Sequence, residues 1–312
     1  MVNSDGKLVQ VKGKSMNVRQ MGTGDKTIVL LPGWGTPLPS VEFAPLMREL
    51  SKKYTVCTIE LFGYGHSDST DTPRTNENYL QEMREALALA GLKPPYVLMP
   101  YSCSGIYCEY YAAKYPKEIA GLILLDCSAT LEVVARAWTY TEDMIKEMYE
   151  ELEANALSGK TPAMLAQVEL IEQGHSTEDI KNMVENAVAE YIAHGYTAEE
   201  IEQLDKFPNH ERTLLAQDIA LSANVFELLH LPIPKNIPIL AFHSGMADSD
   251  DDERIEYEQY SKDHIARLGD HVKRVVIEGS THSDIYYHSD YRKVISEEID
   301  AFLQLTGQDP ND

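Results

Sequence analysis

The chain has 312 residues and 43% hydrophobic content, enough to bury a large core as one elaborated domain or two. Its formal net charge of −23 argues against nucleic acid and anionic membrane surfaces, which reward basic patches. No stretch approaches the ~20 consecutive apolar residues of a membrane span. The opening M-V-N-S-D-G-K is polar and lacks a signal-peptide core, which predicts a cytoplasmic protein. Cys57, Cys103, Cys108 and Cys127 have no metal-ligand spacing and sit in or beside apolar segments, which predicts buried, reduced thiols.

Leu8 to Val11 and Met16 to Gln20 flank the turn K-G-K-S and read as a hairpin. T-I-V-L-L at 27–31 is a continuous apolar run of the kind buried on both faces of a parallel sheet, and it leads into P-G-W-G. A short helix is predicted from Phe43 to Leu50 and a strand from Tyr54 to Ile59, followed by the glycine-punctuated E-L-F-G-Y-G-H-S-D. Leu80, Met83, Leu87 and Ala90 recur at helical spacing, and Gly91 closes that helix.

The central stretch runs from Pro95 to Asp126. A buried strand (Tyr96 to Met99) enters a tight turn, then a helix (Ile106 to Tyr115) and a second strand (Gly121 to Leu125). Ser102 stands at the tip of that turn, where a hydroxyl is pushed clear of the backbone and becomes a candidate nucleophile. The local pattern is P-Y-S-C-S-G rather than G-x-S-x-G, with Pro100 in the first small-residue position. Moving the nucleophile to Cys103 or Ser104 places Tyr101 or Ile106 in a small-residue position and fits worse.

From about Ala129 to His230 amphipathic helices replace the alternation, with stripes such as Met144, Ile145, Met148, Tyr149 and Leu152. Strand and helix then alternate again: Ile237 to Phe242, Arg254 to Leu268, Val272 to Ile277 and Tyr291 to Leu305. Such alternation on both sides of a helical block predicts an α/β chain with a mostly parallel sheet.

Serine chemistry needs a base and an orienting acid. His282 follows the strand V-K-R-V-V-I and the turn E-G-S-T, and neutral imidazole suits proton abstraction near pH 7. For the acid, Asp248 is a candidate three residues beyond Gly245, although Asp250, Asp251 and Asp252 make an acidic solvated loop the competing reading. Asp126, at the end of G-L-I-L-L, is the alternative.

P-G-W-G (32–35), E-L-F-G-Y-G-H-S (60–67), Y-S-C-S-G (101–105), G-M-A-D (245–248) and G-S-T-H (279–282), in this order, resemble the α/β-hydrolase superfamily. The likeness is to its lidded serine hydrolases, of the carboxylesterase, proline iminopeptidase and epoxide hydrolase type. It implies an α/β-hydrolase core over residues 1–128 and 234–312, with a helical cap over 129–233 inserted after the sixth strand. It also implies that the backbone N–H groups of Trp34 and Cys103 form the oxyanion hole, and that the acid is Asp248, in the common position, in preference to Asp126, where some relatives keep theirs. The activity implied is cleavage of a small neutral or apolar ester through an acyl-enzyme, with a small-molecule substrate and no metal or organic cofactor. An aminopeptidase or amidase of the same fold, and a non-catalytic ligand-binding protein on the scaffold, are the alternatives.

Overall fold

In a computed structural model the described residues are 6–158, 162–204 and 210–305. The eight strands are β1 (Lys7–Val11), β2 (Lys14–Met21), β3 (Thr27–Leu31), β4 (Thr55–Glu60), β5 (Tyr96–Pro100), β6 (Ile119–Leu125), β7 (Ile239–Ser244) and β8 (Val272–Ile277). They form one sheet in the order β1-β2-β4-β3-β5-β6-β7-β8. Only β1 with β2 and β2 with β4 pair antiparallel; the other five pairings are parallel. The physical reason lies in composition. The central strands are mostly apolar and buried at nearly every position, and the sheet separates two cores. Val29 and Leu31 pack on one face of β3, and Ile28 and Leu30 on the other.

Four helices precede or follow the central strands: α1 (Pro39–Glu42), α2 (Ala44–Leu50), α3 (Asn76–Ala90) and α4 (Ser104–Lys114). The helix expected from Phe43 begins earlier and is broken at that residue, because Phe43 takes a non-helical φ/ψ of −83° and 0° between α1 and α2. Thr75 caps α3 by accepting the Asn78 N–H, and Gly91, at φ +90°, ends it.

Between β6 and β7 the chain is helical: α5 (Glu132–Ala137), α6 (Glu142–Ser158), α7 (Pro162–Glu172), α8 (Thr177–Ala193), α9 (Ala198–Leu204) and α10 (Glu211–Leu229). Both ends of this insertion are tied to one buried ionic node. Glu109, on α4 and fully buried, accepts from His264 Nε2 at 2.7 Å, Arg267 Nη1 at 2.8 Å and Thr130 Oγ1 at 2.9 Å. Arg267 also donates to the Leu228 carbonyl at 2.9 Å. Thr130 lies just before α5 and Leu228 at the end of α10, so one carboxylate anchors the entry and exit of the insertion. Burial alone would raise the Glu109 carboxyl, but His264, Arg267 and Thr130 together hold it below its ordinary range.

The C-terminal part adds α11 (Asp251–Leu268) and α12 (Ser289–Leu305). Asp250, Asp251 and Asp252, for which a solvated loop is the competing reading of the sequence, build the start of α11. Asp250 caps it reciprocally with Glu253, and acids favour the positive end of the helix dipole. Among the described residues, no helix is long and apolar enough to cross a membrane. The four cysteines are free and buried.

Candidate active site

Ser102 joins β5 to α4 with φ +55°, a left-handed conformation that non-glycine residues seldom adopt. The turn is held from several sides. The Ser102 N–H donates to the Leu125 carbonyl at 3.2 Å, and the Ser102 carbonyl accepts the N–H groups of Gly105 (3.1 Å) and Ser128 (3.2 Å). Pro100 fits at the end of β5, fully buried, with its carbonyl accepting the Cys127 S–H at 3.3 Å. A Cβ on Gly105 would stand 2.7 Å from Cys127 Cβ, so a glycine there lets α4 close onto the strand end.

His282 reaches this serine from the loop after β8. Its Nε2 lies 3.1 Å from Ser102 Oγ, and its Nδ1 lies 2.5 Å from Asp126 Oδ2. A carboxylate only accepts, so Nδ1 carries the proton and Nε2 is left as the acceptor for the serine hydroxyl. Asp126 follows β6, also with positive φ (+48°), and is 3% exposed. Its carboxylate additionally accepts the Ser244 N–H at 2.6 Å and the Tyr257 hydroxyl. Burial alone would raise this carboxyl; the hydrogen bonds from His282, Tyr257 and Ser244 hold it below its ordinary range.

Of the two candidate acids, the structure brings Asp126 and not Asp248 beside His282. Asp248 is exposed in the turn after β7 and does not contact His282. Asp126 does, because parallel pairing of β6 with β7 places the ends of both strands beside the β8 loop, and the left-handed Asp126 turns its side chain towards it. Residues that the sequence reading did not single out hold the pair in place. The Tyr101 ring stacks on His282 with centroids 4.8 Å apart, and its hydroxyl donates to the His282 carbonyl at 2.8 Å. Tyr257, seven residues into α11, carries no motif that sequence spacing could reveal.

The P-G-W-G loop lies against the same elbow. The Ser104 hydroxyl donates to the Pro32 carbonyl, and a Cβ on Gly33 would meet the Tyr101 ring at 2.9 Å and Ser102 Cβ at 3.1 Å. Trp34 and Cys103 thus flank Ser102 from two loops. Helix α10 touches both of their side chains. The Trp34 indole N–H donates to the Leu214 carbonyl at 3.2 Å, and Gln217 Nε2 approaches Cys103 Sγ at 3.5 Å. Burial pushes the Cys103 thiol up to about 12, opposed by the N–H groups of Trp34, Gln217 and Cys103 itself, so it is a neutral thiol near pH 7.

A second carboxyl flanks the histidine through an aromatic relay. Glu42 Oε2 accepts the Tyr286 hydroxyl at 2.8 Å, and the Tyr286 ring meets Tyr101 edge-on at 4.8 Å. Burial pushes Glu42 up to about 7 from an ordinary 4.5, despite hydrogen bonds from Tyr286 and the Leu38 backbone. A carboxyl raised by folding contributes full stability below the unfolded value and loses it as pH rises through the folded one. Glu42→Gln should therefore raise Tm more at pH 8 than at pH 4.5; equal gains at both pH values would exclude a raised Glu42.

By contrast, an open surface cavity of about 590 Å³ lies at the opposite end of β5, lined by Arg84, Tyr96, Tyr111 and Glu118 among others. Its principal charges, Arg84 and Glu118, neutralise each other at 2.7 Å.

Comparison with known proteins agrees with this architecture. A family profile described as "alpha/beta hydrolase fold" matches residues 26–289. The uncharacterized protein YbdG of Bacillus subtilis is 30% identical over 241 residues, covering 77% of this chain and 69% of that protein. A pimeloyl-[acyl-carrier protein] methyl ester esterase of Stenotrophomonas maltophilia is 26% identical over 174 residues, covering 55% of this chain and 62% of that protein. Among solved structures, an esterase from Exiguobacterium antarcticum superposes with a TM-score of 0.62 at 17% identity, covering 96% of this chain and 99% of its own. With the profile spanning most of its length, the chain belongs to the α/β-hydrolase family.

Proposed function

We propose that the protein is a serine hydrolase that cleaves a small ester through an acyl-enzyme intermediate, with residues 129–233 acting as its cap. The observation that carries this reading is the run of hydrogen bonds from Asp126 through His282 to a serine held at positive φ. His282 Nε2 takes the Ser102 proton as Oγ attacks the ester carbonyl. The N–H groups of Trp34 and Cys103 receive the negative charge that forms on the carbonyl oxygen. His282 then gives its proton to the departing alkoxide, leaving the acyl group on Ser102. Water, deprotonated by the same imidazole, releases the acid. Asp126 remains ionised throughout and stabilises the imidazolium in the orientation it needs. The pimeloyl ester hydrolysed by the Stenotrophomonas relative, as its name describes it, is in keeping with ester rather than epoxide chemistry.

Labelling by a fluorophosphonate probe tests the reading. The wild-type protein and Ser104→Ala should label, and Ser102→Ala should not. A folded wild-type protein that stays unlabelled would sink the assignment.

A further inference from the structure

Helix α10 closes the insertion, and its packed face carries one residue out of keeping with the rest. Leu214, Leu221, Val225 and Leu228 form an apolar stripe at helical spacing, and Gln217 stands fully buried within it. A primary amide on a core stripe is costly unless it is hydrogen-bonded. Its Oε1 accepts the Tyr64 hydroxyl at 2.7 Å, and its Nε2 donates to Cys103 Sγ at 3.5 Å. Three residues earlier, the Leu214 carbonyl accepts the Trp34 indole N–H at 3.2 Å. One helix of the insertion is thus bonded to the side chains of both residues whose backbone N–H groups the proposed mechanism assigns to the oxyanion.

That helix is fixed to the core by other buried bonds. The Thr213 hydroxyl donates to the Thr70 carbonyl at 3.2 Å and accepts the Thr70 N–H at 3.1 Å. The His210 N–H donates to the Gly63 carbonyl at 3.1 Å. Further along, Asn224 Oδ1 accepts the Asn76 N–H at 3.0 Å, and the Asn224 carbonyl accepts Asn76 Nδ2 at 2.8 Å. Among the described residues, α6 buries none and α8 only Ile180. Of these helices, α10 is the one built as a platform.

The two donors differ in how their backbones are held. The Cys103 carbonyl accepts the Ile106 N–H at 3.1 Å as α4 begins. In P-G-W-G the Thr36 N–H reaches the Gly33 carbonyl only at 3.5 Å, and Trp34 is 53% exposed. Ser104 holds the start of that loop through the Pro32 carbonyl, and α10 holds Trp34. We propose that α10 sets the spacing of the oxyanion donors, with Gln217 and the Trp34 indole as positioning residues that act through Cys103 and the P-G-W-G loop. This rests on the serine-hydrolase reading and gives the insertion a part in turnover besides covering the site.

The test uses the fluorophosphonate probe itself, so no substrate need be identified. Ser102 Oγ bonds to phosphorus, fluoride departs, His282 takes the serine proton, and the phosphoryl oxygen gathers charge where the ester oxyanion would. Labelling rates at several probe concentrations give kinact and KI. Gln217→Met, close in shape but without the amide, should lower kinact by about 10-fold and leave KI within about twofold. Trp34→Phe, which keeps an aromatic ring but loses the indole N–H, should do the same. Neither should move the pH at which kinact is half-maximal, because the Asp126–His282 pair is untouched. Cys103→Ala combined with Gln217→Met should be no slower than the slower single variant, since both cut one link. A wild-type kinact in either Gln217→Met or Trp34→Phe overturns the inference and leaves the serine-hydrolase reading in place. So does a shifted pH midpoint, or losses that multiply in the double variant. Should Gln217→Met fail to fold, Trp34→Phe, at a half-exposed position, decides alone. A folded wild-type protein that takes no label sinks both.

Discussion

Asp126→Asn should lower kcat by about 10⁴-fold on any ester that the wild-type protein turns over. The amide can donate to His282 Nδ1 and so favours the tautomer with its proton on Nε2, which cannot accept from Ser102. It also removes the charge that stabilises the imidazolium. Binding should suffer far less than turnover, because Asp126 lies behind the histidine, 3% exposed. Asp248→Asn, in the exposed turn after β7, should stay within about twofold of wild type. Steady-state kinetics on both variants, with circular dichroism to verify folding, separates the two acids. Equal losses in both would refute the arrangement, as would a loss confined to Asp248→Asn. Tyr257→Phe removes only one of the bonds on Asp126, so its loss should be much smaller than that of Asp126→Asn.

The largest effect on stability should come from Glu109→Ala. Glu109 is fully buried and holds His264, Arg267 and Thr130 together. Its removal takes the shared acceptor from the buried His264 and the part-buried Arg267, and breaking a buried pair costs about 3–5 kcal/mol. For a chain this long that corresponds to a fall in Tm of about 5–8 °C. The exposed Arg136–Glu132 pair, at 69% and 59% exposure, should contribute at most about 1 kcal/mol, and Glu132→Ala is the control. The direction with pH follows from the depressed Glu109 carboxyl. Its stabilisation is present above the unfolded value near 4.5 and is lost as pH falls through the folded one. Thermal melts from pH 7 down to 3 should show the gap between wild type and Glu109→Ala narrowing in acid. Because the same carboxylate ties Thr130 directly and Leu228 through Arg267, at the two ends of the insertion, limited proteolysis should also cut the variant there first. A gap independent of pH would contradict the ionised role of Glu109.

Much of this was legible in the chain itself. Alternating apolar runs and amphipathic stripes determine strands and helices locally, so the sheet elements and the helical block were readable before any contact was known. Ser102 and His282 were readable for a related reason, since each sits in a short turn whose geometry is local. Pro100 looked like a departure only because the pattern names small residues; at the strand end it fits without disturbing the elbow. The acid was a different kind of question. Asp248 and Asp126 both stand just beyond strand ends, and nothing within either segment says which one faces His282. That depended on parallel register between β6, β7 and β8 and on the left-handed turn at Asp126. Likewise the acids from Asp250 to Asp252 read as loop until the helix they cap was in view. Tyr257 finds Asp126 131 positions away, and Glu109 finds His264 and Arg267 155 and 158 positions away. A side chain's local sequence determines its backbone conformation, but its partner across the fold is chosen only when the sheet and the insertion pack.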